Sequence, residues 1–287
     1  MQDVSVGEYL RNMIGEWLEE AGRDLTSRLP DQERLVAEIK GHGDFVTATE
    51  RQIEETLREN ITHTASNFPV IAEESFEGGT PDLSGPCWVI DPLDATSGFL
   101  FQAGRFIPSI MMAFCIDGQP EVSGIHFPLA HFTVTAHRGH GLKLHGATRL
   151  WTTAISVARA SVDLSEAWVD VNRYSDIEYQ SELVRRLDCT LRSTQGAALV
   201  TSLVPHSGIV WSMITGEPNI SAVVHDNNSA KVKQAVWDVL PAQLILTEAG
   251  GFMIDLNTGQ NYDPCCPGPF VAAVSASLAF QIFGLTL

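Results

Sequence analysis

Cys87-Trp88-Val89-Ile90-Asp91-Pro92-Leu93-Asp94-Ala95-Thr96-Ser97-Gly98-Phe99 decides how the rest of the chain is read. Trp88, Val89 and Ile90 form an apolar run of the kind that becomes a buried strand. The run stops at two carboxylates, Asp91 and Asp94, and then at a small residue followed by the hydroxyls of Thr96 and Ser97. A strand that delivers carboxylates to its end suits a hard cation, which takes oxygen ligands. A turn or helix opening at Ala95, Thr96 and Ser97 suits a phosphate, because backbone N–H groups at a helix start favour an anion. The same letters also describe an ordinary turn after a core strand, since Asp-Pro and Asp-Ala-Thr are common turn material. The remainder of the chain has to choose.

Upstream, Phe68-Pro69-Val70-Ile71-Ala72 reads as a second short buried strand, and it too ends in acid, at Glu73-Glu74-Ser75. Carboxylates at the ends of neighbouring strands converge where open α/β sheets place ligands; solvated loop acids are the alternative. Further upstream, Lys40-Gly41-His42-Gly43-Asp44-Phe45-Val46-Thr47-Ala48-Thr49-Glu50 is a Gly-rich loop feeding a helix that runs from Glu50 to about Ile61. Asp44 in that loop can reach a site or close a surface Asx turn. Tyr9, Leu10, Met13, Ile14, Trp17 and Leu18 share one helical face, and a second helical run is expected from Asp31 to Ile39.

Downstream the pattern turns to β. Ile107 to Ile116, Pro120 to His126, Phe132 to His137 and a short run near Leu142 are strand-like and separated by turns, which predicts an antiparallel meander. The histidines of this region lack metalloprotease spacing and are assigned no chemistry. Beyond residue 152 strand and helix alternate, so an α+β lobe over 1–152 and an α/β lobe over 153–287 are expected. In the second lobe Cys189 to Leu191 and Ile209 to Ile214 read as strands, and Gly196 to Val204 as a small-residue helix. Trp237-Asp238 begins a helix that Gly250-Gly251 closes. Asp238 fits its first turn, as a plain cap or as a third acidic contribution to the site.

The 287 residues, 44% hydrophobic and 18% charged, suit a globular chain with a sizeable core. No apolar run reaches the roughly 18 residues that span a bilayer, and the N-terminus lacks a secretion-signal pattern. Five cysteines without paired finger spacing point to reduced thiols and a cytoplasmic protein. A net charge of −17 argues against binding a nucleic-acid polymer, whose phosphates it would repel. Small phosphate esters are still admitted, because a bound cation sets the local sign.

Four segments together resemble the inositol monophosphatase family of magnesium-dependent, lithium-sensitive phosphomonoesterases. Lys40 to Glu50 is similar to the family's lysine, aspartate, Val-Thr segment, and Ile71 to Ser75 to its Gly-Glu-Glu segment. Trp88 to Phe99 is similar to its Trp-Ile-Asp-Pro-Ile-Asp-Gly-Thr signature. Trp237-Asp238 with Thr247-Glu248-Ala249-Gly250-Gly251 is similar to its C-terminal signature. The resemblance spans nearly the whole chain and implies the layered α/β/α/β/α sandwich shared with fructose-1,6-bisphosphatase, in a homodimer. It implies hydrolysis of a small phosphorylated metabolite with two or three Mg²⁺ ions, inhibited by Li⁺.

Carried over by residue, the family pattern makes Glu73, Asp91, Asp94 and Asp238 metal ligands through their side chains and Leu93 through its carbonyl. Asp44 corresponds to an acidic residue behind the ligands or at a third metal. Thr96, with Glu73, corresponds to the hydroxyl that orients the attacking water. Ala95, Thr96 and Ser97 correspond to the phosphate cradle, and Gln195, Gly196 and Glu217 to substrate contacts. Metal activation of water removes the need for a histidine base. Ala95 replaces the family's Gly, Glu50 replaces an Asp, Gln195-Gly196-Ala197-Ala198 departs from Gly-Ser/Thr-Ala-Ala, and residues 215–234 form a longer segment than in inositol phosphatases. Sugar, polyol or inositol phosphates are the expected substrates. A 3′-phosphoadenosine 5′-phosphate or fructose-bisphosphate phosphatase and a non-catalytic phosphate-binding protein are the alternatives.

Overall fold

The structure is a computed structural model. It describes residues 3–28, 37–41, 44–64, 67–94, 108–146, 163–171, 181–193, 198–200, 208–215, 220–226, 236–266 and 268–287. The chain forms two compact units, residues 1–147 with 235–248 and residues 148–234 with 249–287. Among the described residues the α-helices are α1 (Asp3–Arg28), α2 (Ala48–His63), α3 (Glu182–Ser193), α4 (Gly208–Thr215), α5 (Val236–Glu248) and α6 (Ala276–Gly284).

The first unit contains a hairpin of β1 (Ala37–Gly41) and β2 (Asp44–Thr47) and a six-stranded sheet. The sheet runs in chain order through β3 (Val70–Ala72), β4 (Pro86–Asp94), β5 (Ser109–Ile116), β6 (Gln119–Phe127), β7 (Phe132–His137) and β8 (Leu142–His145). β3 is parallel to β4; β5 to β8 form the expected antiparallel meander, and β4 joins it antiparallel to β5. Tight turns make this order possible. Asp117 and Gly118 both take positive φ, 49° and 72°, the twist that joins adjacent antiparallel strands.

Alternation along β4 sends successive side chains to opposite faces. Trp88 and Ile90 face α1 and α2, where they meet Ile14, Leu18, Leu25, Ile53, Leu57 and Ile61. Trp88 anchors this core, its ring 5.8 Å from Trp17 and 5.0 Å from Phe114 between centroids. Each such side chain contributes about 1.5–3 kcal/mol by leaving water. Cys87 and Val89 face the other way, against Val236 and Leu240 of α5.

Helix α1 approaches the sheet closely because glycines open its surface. A Cβ on Gly22 would stand 2.0 Å from Nε2 of His126, and one on Gly7 would stand 2.2 Å from Nε2 of His137. The two imidazoles occupy those gaps. His126 also pairs through Nδ1 with Thr133 Oγ1 at 2.8 Å. Burial, aided by the charges of His131 and Arg23, pushes the His126 pKa down to about 4, so the ring is neutral at pH 7.

The second unit holds a five-stranded sheet in the order β10 (Ala198–Val200), β9 (Trp168–Val171), β11 (Ala222–His225), β13 (Phe270–Ala273), β12 (Phe252–Asp255). β9 is parallel to β10 and β11, while β13 is antiparallel to β11 and β12. One core joins Val184, Leu187 and Leu191 of α3 and Leu278 and Ile282 of α6 to Val169, Val171 and Val224 of the sheet.

Several elements differ from the sequence reading. Ala37 to Ile39 lie in strand β1 rather than in a helix. Cys189 to Leu191 continue α3, whose buried Val184, Leu187, Asp188 and Leu191 keep helical spacing. Ala198 to Val200 form a strand, and Ile209 to Ile214 belong to helix α4. These are short apolar runs, and a run of that length does not separate a period of 3.6 from one of 2. No helix among the described residues is long and apolar enough to cross a membrane.

Candidate active site

Strand pairing brings the first carboxylates together. β3 and β4 pair with Ile71 opposite Val89 and Ala72 opposite Ile90. One step further the same register sets Glu73 level with Asp91, and the Glu73 N–H donates to the Ile90 carbonyl at 3.2 Å. Both strand ends therefore release their acids at the same edge.

A bulge in β4 supplies the next. Asp91 pairs with Met111 and Asp94 with Ser109, so three steps along β4 match two along β5. In an unbroken strand residues three apart point to opposite faces. The extra residue restores Asp94 to the side of Asp91 and turns Leu93 into the core with Trp88 and Ile90. Pro92 suits this place because it has no N–H to give to the ladder. Asp91 Oδ1 accepts the Leu93 N–H at 3.0 Å, which closes the bulge as an Asx turn.

Asp238 comes from the far end of the chain but from the same unit, in the first turn of α5. A carboxylate is favoured there by the helix dipole. The neighbouring Trp237 packs edge-on against Phe76, 5.3 Å between centroids, which ties the start of α5 to the loop following Glu73.

Asp91 lies at the centre of this set. Its side chain is buried, and burial pushes its carboxyl well above the usual range; the charges of Glu73, Asp94 and Asp238 and a contact with the Glu73 carboxyl push the same way. Two carboxylates form a hydrogen bond only while a proton sits between them, and Asp91 Oδ2 is buried with no hydrogen-bond partner among the described residues. The described residues do not bring three or more acidic, His or Cys side chains into metal-binding geometry. They do set Asp91 within electrostatic reach of three like charges, Glu73, Asp94 and Asp238. A divalent cation would reverse the sign of each of those interactions, and an all-oxygen donor set with a buried oxygen lacking a partner fits Mg²⁺.

Leu93 lies in the bulge between the two aspartates, and its side chain is buried. Asp44 begins β2, and its side chain lies outside the described residues. Ala95, Thr96, Ser97, Gln195, Gly196 and Glu217 also lie outside them. The sequence reading missed the roles of two side chains of the same unit, one next to the Glu73 turn and one at the far end of α5. Glu54 of α2 accepts the Glu74 N–H at 2.8 Å. Glu248, at the end of α5, accepts the N–H groups of Gly139 and Gly141 at 2.7 and 2.8 Å. Glu248 was visible within the C-terminal signature, whereas Glu54 gave no local signal beyond an acidic helix position.

The fold is of the inositol monophosphatase type. The chain belongs to the inositol monophosphatase family, whose model matches residues 8–279. Among curated relatives, the Nus factor SuhB of Escherichia coli K12 is 27% identical over 247 residues, 84% of this chain and 83% of that one. The inositol monophosphatase of Dictyostelium discoideum is 24% identical over 277 residues, 91% and 89% of the two chains. Among solved structures, the extragenic suppressor protein suhB of Bartonella henselae superposes with a TM-score of 0.76 at 19% identity, covering 97% of this chain and 98% of that one. An IMPase/NADP phosphatase complexed with Mg²⁺ and phosphate gives 0.74 at 18% identity, covering 98% and 95%. The expected fold class, mixed sheets with helices of the inositol monophosphatase type, is the one found.

Proposed function

We propose that this protein hydrolyses a small phosphate monoester of a sugar, polyol or inositol, using Mg²⁺ held by Glu73, Asp91, Asp94 and Asp238 and by the Leu93 carbonyl. The observation that carries this reading is the buried Oδ2 of Asp91, which has no hydrogen-bond partner among the described residues and lies within reach of the like charges of Glu73, Asp94 and Asp238. An arrangement that opposes folding on its own is expected where a site is built for a ligand. When bound, the metal supplies charge neutralisation at the phosphate and lowers the pKa of water. The chain's own groups do the rest. Glu73 and Thr96 hold the attacking water, Ala95, Thr96 and Ser97 orient the phosphate with backbone N–H groups, and Gln195, Gly196 and Glu217 contact the alcohol. Asp44 adds negative charge behind the ligands or at a third ion. We further propose a cytoplasmic homodimer that binds no nucleic-acid polymer.

Phosphate release across a panel of sugar, polyol, inositol and nucleotide phosphates, with Mg²⁺, with Mg²⁺ plus Li⁺ and with excess chelator, tests this reading. Release that needs Mg²⁺ and falls with Li⁺ is expected. Undiminished release in chelator removes the metal mechanism, and release from 3′-phosphoadenosine 5′-phosphate or fructose bisphosphate alone moves the substrate to those classes. The Escherichia coli relative favours a second reading, a role as a Nus factor without catalysis. On that reading no ester is hydrolysed, and Asp91→Asn leaves the biological role intact.

A further inference from the structure

We infer that Glu54 of α2 is a positioning residue for the metal ligand Glu73, acting through the backbone of the turn that follows β3. Glu54 is 3% exposed although charged, and both of its oxygens are committed. Oε1 accepts from Arg58 Nε at 3.0 Å, one turn along the same helix, and Oε2 accepts from the Glu74 N–H at 2.8 Å. Arg58 extends the clamp: its Nη2 donates to Ser75 Oγ and, at 3.4 Å, to the Val70 carbonyl. The pair thus grips β3 at its start and the turn at its end.

The consequence lies in the backbone. Glu73 is bonded to Ile90 through its own N–H at 3.2 Å, and the next N–H in the chain is taken by Glu54. With the peptide groups on both sides of Glu73 held, its Cα–Cβ direction is fixed relative to Asp91. Take away Glu54 and the Glu74 N–H loses this acceptor, so the peptide after Glu73 keeps the weaker 3.4 Å bond from the Phe76 N–H to the Glu73 carbonyl. Ligand carboxylates depend on such supporting hydrogen bonds, and losing one costs about 10- to 100-fold in metal affinity.

This inference rests on the Mg²⁺ reading of the site, and the test separates the two. Mg²⁺ is titrated calorimetrically into wild type, Glu54→Leu, Glu54→Gln and Arg58→Met, with urea unfolding in chelator as the control for folding. Glu54→Leu is expected to bind Mg²⁺ about 10- to 100-fold more weakly. Glu54→Gln keeps an oxygen for the Glu74 N–H and should recover most of that loss. Arg58→Met, on the solvent side of the clamp, is expected to fold normally and show a smaller loss. A folded Glu54→Leu with wild-type affinity overturns the inference, as does Glu54→Gln binding as weakly as Glu54→Leu. Should Glu54→Leu fail to fold, unchanged affinity in Arg58→Met overturns it instead. A wild type that binds no Mg²⁺ removes the metal reading and this inference together.

Discussion

Where α1 crosses the six-stranded sheet, His126 and His137 sit in the gaps left by Gly22 and Gly7, and Ile14, Leu18 and Leu25 pack into the apolar core on that face. Where α5 crosses the opposite face, the same sheet presents Asp91 and Asp94 beside Glu73 and Asp238. One face is held chiefly by apolar packing that folding itself completes. The other is left with a surplus of one charge that folding does not neutralise. The contrast assigns stability to the helical face and ligand dependence to the acidic edge, and it can be broken from either side.

Asp91→Asn should have the largest effect. It removes a central ligand, so Mg²⁺-dependent phosphate release should fall by more than the roughly 100-fold that loss of a supporting hydrogen bond costs. The same change should stabilise the metal-free protein. A carboxyl pKa raised by folding means that ionised Asp91 is less favourable in the folded chain than in the unfolded one, so at neutral pH Asp91 opposes folding. A gain of about 1–2 kcal/mol in urea unfolding in chelator is expected. A variant that is both less active and less stable would show that the acidic edge supports the fold after all.

The helical face makes the opposite prediction with pH. The His126 pKa falls from 6.5 in the unfolded chain to about 4 in the folded one. Between those values the unfolded chain binds more protons, so stability is complete above about pH 6.5 and declines as pH drops towards 4. At about 1.4 kcal/mol for each unit, the full loss is about 3 kcal/mol. Urea midpoints measured from pH 7.5 to 4 check it, and a His126→Leu variant that keeps the same slope assigns the effect elsewhere.

Gly22→Ala tests the close approach itself. The added methyl gains about 1 kcal/mol of helix propensity. It also displaces a buried imidazole that Thr133 holds in place, and overpacking of that kind costs about 1–3 kcal/mol. A small net destabilisation with unchanged Mg²⁺ affinity is expected. Weakened Mg²⁺ binding would mean that the two faces are coupled through the sheet.

The same division explains what could be read from the letters. Asp91, Asp94 and Glu73 stood out because acids that end apolar runs break a pattern, Asp238 because it opens a helix within the C-terminal signature, and the meander because its turns carry Asp117-Gly118 and similar pairs. The bulge was written in the sequence as Pro92, but its effect of turning Asp91 and Asp94 to one side depends on pairing with β5. Glu54, His126 and the glycines of α1 were illegible for a related reason. Each takes its meaning from a partner distant in sequence, the Glu74 N–H for one and an imidazole for another. Helix α4 and strand β10 were misread because their short apolar stretches lack a diagnostic period.

Glu248 gives the smallest and most discriminating case, since it joins the helix of Asp238 to the meander. Its two oxygens accept from Gly139 and Gly141, both at φ +72°, in the turn between β7 and β8. Acid is unfavourable at a helix C-terminus, so these bonds are the evident reason for a glutamate there. Glu248→Gln keeps one oxygen acceptor and places an NH₂ group opposite a second N–H. A loss of about 1 kcal/mol in urea unfolding is expected, with Mg²⁺ affinity unchanged. An unchanged midpoint would show that the turn holds without it. Weakened Mg²⁺ binding would show instead that the far end of α5 sets where Asp238 stands, and the acidic edge would then depend on the meander as well as on β3 and β4.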